Sequence, residues 1–291
     1  MCNPIFEMVK YHNKDYPENI TLHYEELAAH FDVCAIAPEL PQYSQHTEYS
    51  YGKRNFSSEL MQQFPHIKQA QKKGVPQLWK SEQWAQEFAE FVFSVCAEKA
   101  APSVIEIHPP FDDYTESVEQ FVQRYMHFEK AVLNRFPNVQ LMIENRSGSI
   151  YGRAKFVVTD VAGIIELSDA IDRYGLKLRI ALDIPQLFTA HSPSGEEFLH
   201  LLAQLKPIRH NIAGVHLWGK RKSQTGRLVA HCGDLHSYFN DDEALLNDFL
   251  RSFNELFNDG ISRKLVLEVN SGNDDMLSII NDLQNSGVVF A

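Results

Sequence analysis

The chain has 291 residues, of which 44% are hydrophobic and 22% charged, with a formal net charge of −11. That length suits one large α/β barrel, which takes about 250 residues, and the composition is that of a globular protein with a substantial core. The negative balance removes any general electrostatic attraction to nucleic acid or anionic membrane, leaving a local basic cleft as the route to a polyanion.

In chain order, short apolar runs alternate with longer stretches of helical period. Candidate strands are IFEMVKY (5–11), VCAIAPEL (33–40), VIEIH (104–108), QLMIE (140–144), LRIALD (178–183), IAGVHL (212–217) and KLVLEV (264–269). Between them, SEQWAQEFAEFVFSVCAEKA (81–100) places Trp84, Phe88, Phe91, Val92 and Val95 on one helical face. TESVEQFVQRYMHFEKAVLNRF repeats the pattern with Val118, Phe121, Val122, Tyr125 and Phe128. NDDEALLNDFLRSFNELFNDG opens on the cap-competent Asn240 and closes at Gly260.

This spacing predicts βα units and a parallel sheet covered on both faces, that is, a single (β/α)8 TIM-barrel domain over residues 1–291. Seven strands are legible, and an irregular, polar segment around residues 41–80 hides one more. Cys2, Cys34, Cys96 and Cys232 lie far apart without a CxxC pair, which predicts reduced thiols and a cytoplasmic setting. No apolar run approaches the roughly 18 residues of a membrane span, and the N-terminus lacks a signal-peptide core.

The expected strands end on chemistry. QLMIE ends on Glu144, LRIALD on Asp183 and VIEIH on His108, while IAGVHL carries His216 and KLVLEV carries Glu268. In a parallel barrel all C-terminal strand ends open on one face, and converging carboxylates call for a cation. Two glutamates, an aspartate and a histidine form an oxygen–nitrogen set suited to one divalent metal: Mn, Mg, Co or Zn. Each acid alone has a plainer reading. Asp183 can cap a helix, and Glu268 can pair with Lys264 or Arg263. Recurrence at successive strand ends favours the metal.

The motifs IEIHPP, LMIENRSGS, IALDIPQLF, AGVHLWGK and LVLEVN, in this order, resemble the xylose-isomerase-like TIM-barrel superfamily over about residues 100 to 270. That superfamily holds sugar isomerases and epimerases and also endonuclease IV, of AP endonuclease family 2. The resemblance implies that Glu144, Asp183, His216 and Glu268 ligate the metal. In the isomerase branch Glu144 and Glu268 are also the catalytic acid–base pair around a metal-stabilised enediolate, and the partner is a sugar or sugar phosphate. Gln186, Trp218, Lys220, Asn145 and Arg146 are then expected at the substrate, with Trp218 stacking on a sugar face and Lys220 or Arg221 receiving a phosphate.

The endonuclease IV branch binds two to three zinc ions and cleaves abasic DNA. ENRSG and LDIPQLF lean toward that branch, His108 matches its fourth-strand histidine, and Asp234 with His236 resembles its Asp-x-His pair, His236 being preferred to nearby His231. Against it, Gln186 stands where that family has a histidine. Its third-strand histidine could be only His46 or His66, neither on a legible strand. The expectation is therefore a metal-dependent sugar isomerase or epimerase. A zinc phosphodiesterase is the alternative, and a metal-binding barrel without catalysis a further one. A membrane partner is not expected, and a homo-oligomer is compatible with the reading.

Overall fold

The computed structural model describes residues 2–96, 100–147 and 154–291. Residues 97–99, near the end of the expected helix 81–100, and Gly148 and Ser149 of LMIENRSGS lie outside the described residues. The eight parallel strands are β1 (Ile5–Tyr11), β2 (Tyr24–Ala29), β3 (Gln42–Thr47), β4 (Val104–Ile107), β5 (Gln140–Glu144), β6 (Leu178–Asp183), β7 (Ile212–Leu217) and β8 (Ser262–Leu267). Their sequential order, with helices following each strand from β3 onward, is that of a (β/α)8 barrel. Among the described residues, no helix is long and apolar enough to cross a membrane.

The chain falls into two compact units, Glu26–Ala181 and a second formed by Met1–Glu25 with Leu182–Ala291. In the first, β3 pairs with β4 (His46 opposite Glu106), β4 with β5 (Glu106 opposite Met142) and β5 with β6 (Glu144 opposite Ala181). Helices α1 (Glu82–Val95) and α2 (Val118–Arg135) start on Ser81 and Ser117, whose hydroxyls accept from the Trp84 and Gln120 amides. The stripes expected from the sequence are buried, and Trp79, Trp84, Phe88, Phe121, Tyr125 and Phe128 form one continuous aromatic core. Helix α3 (Val161–Tyr174) stops at Gly175, whose φ of 61° a side chain would resist.

In the second unit β1 pairs with β8 and β8 with β7. Three helices follow β6: α4 (Ile184–His191), α5 (Glu197–Gln204) and the short α6 (Leu235–Tyr238). Helix α7 (Glu243–Phe257) starts on Asp242, which caps it in place of Asn240; Asn240 itself takes a positive φ. Helix α8 (Asn273–Asn285) completes the set.

The sequence reading needs two corrections here. VCAIAPEL (33–40) is not a strand: only Ile36 of it is buried, and Pro38 withholds a donor. Two strands went unread: β2, YEELAA, whose buried residues are only Glu25 and Ala29, and β3, QYSQHT, inside the polar segment. β3 reads as a loop because three of its four buried residues, Ser44, Gln45 and Thr47, are polar. Gln45 and Thr47 are satisfied there by the main-chain carbonyls of Val92 and Glu106.

Candidate metal centre

The first unit gathers four side chains from neighbouring strand ends. His46 is on β3, Glu106 on β4, His108 one residue past it, and Glu144 closes β5. One ligand atom from each lies within 4.8 Å of all the others. His108 Nε2 stands 2.8 Å from Glu144 Oε2, while His46 Nε2 stands 3.3 Å from the same oxygen and 3.5 Å from Glu106 Oε1. Glu106, His108 and Glu144 are fully buried.

The surroundings decide what such a group can hold. His108 Nδ1 faces the Glu48 carbonyl at 3.1 Å, so a ring protonated there would offer its Nε2 lone pair to a cation held beside Glu144. That tautomer is the one a metal-ligating histidine takes when its outer nitrogen is anchored on a carbonyl. The anchor is rigid. The Glu48 carboxylate accepts from the amides of Phe31, Tyr49 and Ser50 and from Arg54 Nε at 2.8 Å. On the other side, Trp79 Nε1 donates to the His108 carbonyl at 2.7 Å.

The charge states follow from position. Burial opposes ionisation of Glu144, but Arg146, 3.1 Å from Oε1, together with His108 and His46, holds its carboxyl well below the usual carboxylate range. Burial would also lower His46, yet Glu26, Glu144 and Glu106 push it up to about 9. Burial lowers His108. A pocket of carboxylates that draws a proton onto an imidazole is one that a divalent cation satisfies better, and two imidazoles with two carboxylates match the donors zinc or manganese takes.

At the rim of this group Tyr49 lies between the guanidinium groups of Arg54 and Arg146, 5.6 and 5.2 Å from its ring centre. Tyr51, 57% exposed, stacks on Tyr49 at 6.0 Å and 22°.

In the second unit, Asp183 and Trp218 follow from local structure. Asp183 Oδ1 caps α4 by accepting the Gln186 amide at 2.7 Å, and Oδ2 accepts Trp218 Nε1 at 2.9 Å. The plainer capping role is therefore real and uses one oxygen. Trp218 stacks on His231 at 4.3 Å and 27°. Glu268 lies 3.2 Å from His216 Nδ1 and 3.3 Å from His231 Nδ1. Lys264 pairs with Glu7 and Arg263 with Asp259, so neither neighbour takes Glu268. Asp183, His216 and Glu268 are buried.

No protein-family model and no curated protein matches the sequence. Among solved structures, the crystal structure of AsfvAP:AG is similar at 10% identity and a TM-score of 0.52 over 98% of each chain. A xylose isomerase domain protein from Planctomyces limnophilus aligns at 11% identity and a TM-score of 0.49, covering 97% of this chain and 95% of its own. SacUVDE aligns at 14% and 0.40, over 84% and 64%. The shared property is the barrel fold.

The remaining expected residues sort clearly. Arg146 reaches Glu144, Asn145 is buried beside it, and Gln186 sits in the first turn of α4. Lys220 lies over the Tyr238 ring at 4.1 Å. The Asp-x-His pair is engaged locally, at a turn and helix start. Asp234 caps α6 through Ser237 and accepts from Ser278 at 2.8 Å, while His236 bridges Glu243 and Asp282 at 2.9 and 3.3 Å. Neither belongs to a candidate metal group among the described residues. His231, ranked below His236 on sequence, is the imidazole beside Glu268. His46, named with His66 as a candidate but not placed on a strand, is the one the structure brings to Glu144, because nothing in QYSQHT marks a strand.

Proposed function

We propose that the protein is a divalent-metal-dependent hydrolase of phosphodiesters, with His46, His108, Glu144 and Glu106 as one ligand group. Asp183, His216 and Glu268 remain ligands on the strength of the sequence motifs. The observation that carries the reading is the buried His46–His108 pair on Glu144. Enediolate chemistry on a sugar needs a single cation and two opposed carboxylates, and it gives no task to this pair. Phosphodiester hydrolysis commonly uses more than one cation. When bound, a divalent cation supplies Lewis-acid polarisation of a phosphoryl oxygen and activation of a water.

This chain's own residues do the rest. Glu144 and Glu106 would neutralise the cation, the Glu48 carbonyl would fix the tautomer of His108, and Arg146 would offer a guanidinium at the rim for substrate charge. Tyr51 and Tyr49, with Arg54 and Arg146, form an aromatic and cationic rim of the kind that takes a base and its phosphate. Zinc fits the imidazole-rich donors. The incomplete Asp-x-His pair and Gln186 argue for fewer than three ions.

A sugar isomerase or epimerase is the second reading, favoured by Glu268 lying between His216 and His231 as a poised base. The two readings separate in one experiment. Protein loaded with zinc or manganese is assayed on bis(p-nitrophenyl) phosphate, on duplex DNA with an abasic site, and on aldose–ketose and epimer pairs. Phosphodiester cleavage that disappears in His46→Ala and in Glu144→Gln, with the fold retained, supports the proposal. Sugar interconversion that survives His46→Ala replaces it with the second reading.

A further inference from the structure

Trp218 stands one residue past β7, where its sequence position suggests a face for a sugar to stack on. The side chain is only 3% exposed, and His231 already covers its ring at 4.3 Å and 27°. So little open surface gives a substrate nothing to stack on. The edge of the indole is engaged as well, since Nε1 donates to Asp183 Oδ2 at 2.9 Å. One side chain of the second unit therefore holds two groups at once: a carboxylate at the end of β6 and an imidazole in the loop before α6.

Each contact removes a freedom that a ligand group would otherwise keep. A carboxylate turns easily about its last torsion, which is broad and roughly twofold. In Asp183 that rotation is pinned at both oxygens, Oδ1 by the Gln186 amide at 2.7 Å and Oδ2 by the indole. The amide belongs to the capping of α4 and comes with any aspartate at this position. The indole bond comes only with a tryptophan at 218. Asp183 is fully buried, so bulk water cannot replace that donor. His231 is held from two sides. Its backbone takes a φ of 56° and its carbonyl accepts the Asn270 amide at 2.7 Å. Its ring, lying flat on Trp218, keeps Nδ1 at 3.1 Å from the Glu268 carbonyl and 3.3 Å from the Glu268 carboxylate.

We propose that Trp218 is a positioning residue of the second unit's ligand group, acting through Asp183 and His231 and not on the substrate. The assignment rests on Asp183 being a metal ligand, and not on which reaction the centre serves. Partners that orient a ligating side chain are worth roughly ten- to a hundredfold in metal affinity. A tryptophan that only fills space contributes stability and leaves that affinity alone.

The test is a double-mutant cycle on zinc affinity, measured by competition with a chelator. Trp218→Phe keeps an aromatic face for His231 and deletes the N–H, and Asp183→Asn removes the ligand that the N–H holds. Asp183→Asn should weaken zinc binding. Trp218→Phe should weaken it about tenfold in the otherwise unaltered protein and by less than about twofold in the Asp183→Asn background. The indole N–H resonances of the three tryptophans give a second readout. The one absent from Trp218→Phe should move when zinc binds and should lie elsewhere in Asp183→Asn. If Trp218→Phe does not fold, the resonance displaced in Asp183→Asn identifies Trp218, and its response to zinc carries the test. Equal losses of affinity in both backgrounds, or a lower melting temperature with unchanged zinc affinity in Trp218→Phe, overturn the proposal. So does a Trp218 resonance indifferent to zinc. Unchanged zinc binding in Asp183→Asn removes Asp183 from the ligands and this inference with it. An effect of Asp183→Asn without one of Trp218→Phe removes this inference alone. Neither readout uses turnover, so a protein that cleaves no phosphodiester loses the proposed reaction and keeps this role for Trp218.

Discussion

Three histidines in the first unit show how position sets chemistry at the scale of a residue. His46 faces Glu26, Glu106 and Glu144 and is pushed up to about 9. Burial lowers His108, the closer to Glu144, and burial, with the charges of His46 and Arg54, takes His30 down to about 2. The proton on His46 occupies the place a metal needs. In the metal-free protein that proton contributes stability fully present below about pH 6.5 and lost as pH rises through about 9. Metal affinity runs the other way, rising up to tenfold per pH unit toward pH 9 as the ion no longer has to expel a proton. Zinc competition titrations at pH 6.5 and 8.5 check the slope; an affinity independent of pH would remove His46 from the ligand set. The support around His108 has its own consequence. Trp79→Phe deletes the donor to the His108 carbonyl and should weaken metal binding about tenfold while the aromatic core keeps most of its packing. Trp79 holds a φ of 59°, an uncommon conformation for a bulky residue, and Arg124 fixes its carbonyl at 2.7 Å.

At the scale of an element, two of the least legible segments are β3, in the first unit, and the stretch after β7, in the second. β3 is hidden because a strand whose buried residues are mostly polar, Ser44, Gln45 and Thr47, shows no apolar period, although its backbone pairs normally with β4. The KRKSQTGR stretch reads as a solvated loop, yet Lys220–Lys222 and Leu228–Ala230 form an antiparallel hairpin. Its entry depends on Gly219, where an added Cβ would lie 2.3 Å from the Gly233 carbonyl carbon and oxygen. Neither backbone can yield. Gly219→Ala should therefore cost roughly 1–3 kcal/mol and displace Lys220 from the Tyr238 ring. A denaturant midpoint equal to that of the unaltered protein would show that the hairpin is free to move. The amphipathic helices behave as the sequence predicts, and Phe88→Ala, opening the aromatic core between α1 and α2, should cost about 3–5 kcal/mol by thermal or chemical unfolding.

At the scale of the whole molecule, fully buried Glu106 and Glu144 are costly without a compensating cation. Binding only to the folded state adds stability by mass action, about 2.7 kcal/mol at a hundredfold excess over the dissociation constant. Zinc should raise the melting temperature and a chelator should lower it, and both effects should vanish in Glu144→Gln. A chelator-insensitive melt together with no metal after purification would sink the metal centre altogether.

The sequence by itself determined the alternation of strands and helices, the barrel class and the positions of Glu144, Asp183, His216 and Glu268 at strand ends. Those signals are local: apolar runs of strand length, helical stripes, caps, and an ionisable residue where each run stops. It also left Asp234 and His236 attractive as ligands, because an Asp-x-His spacing looks the same whether it caps a helix or holds an ion. Only the tertiary structure decided that His46 joins His108 on Glu144, that His231 and not His236 accompanies Glu268, and that Lys220 lies over the Tyr238 ring. Each of these depends on which face a side chain presents and on contacts across tens to more than a hundred residues, which no local pattern encodes.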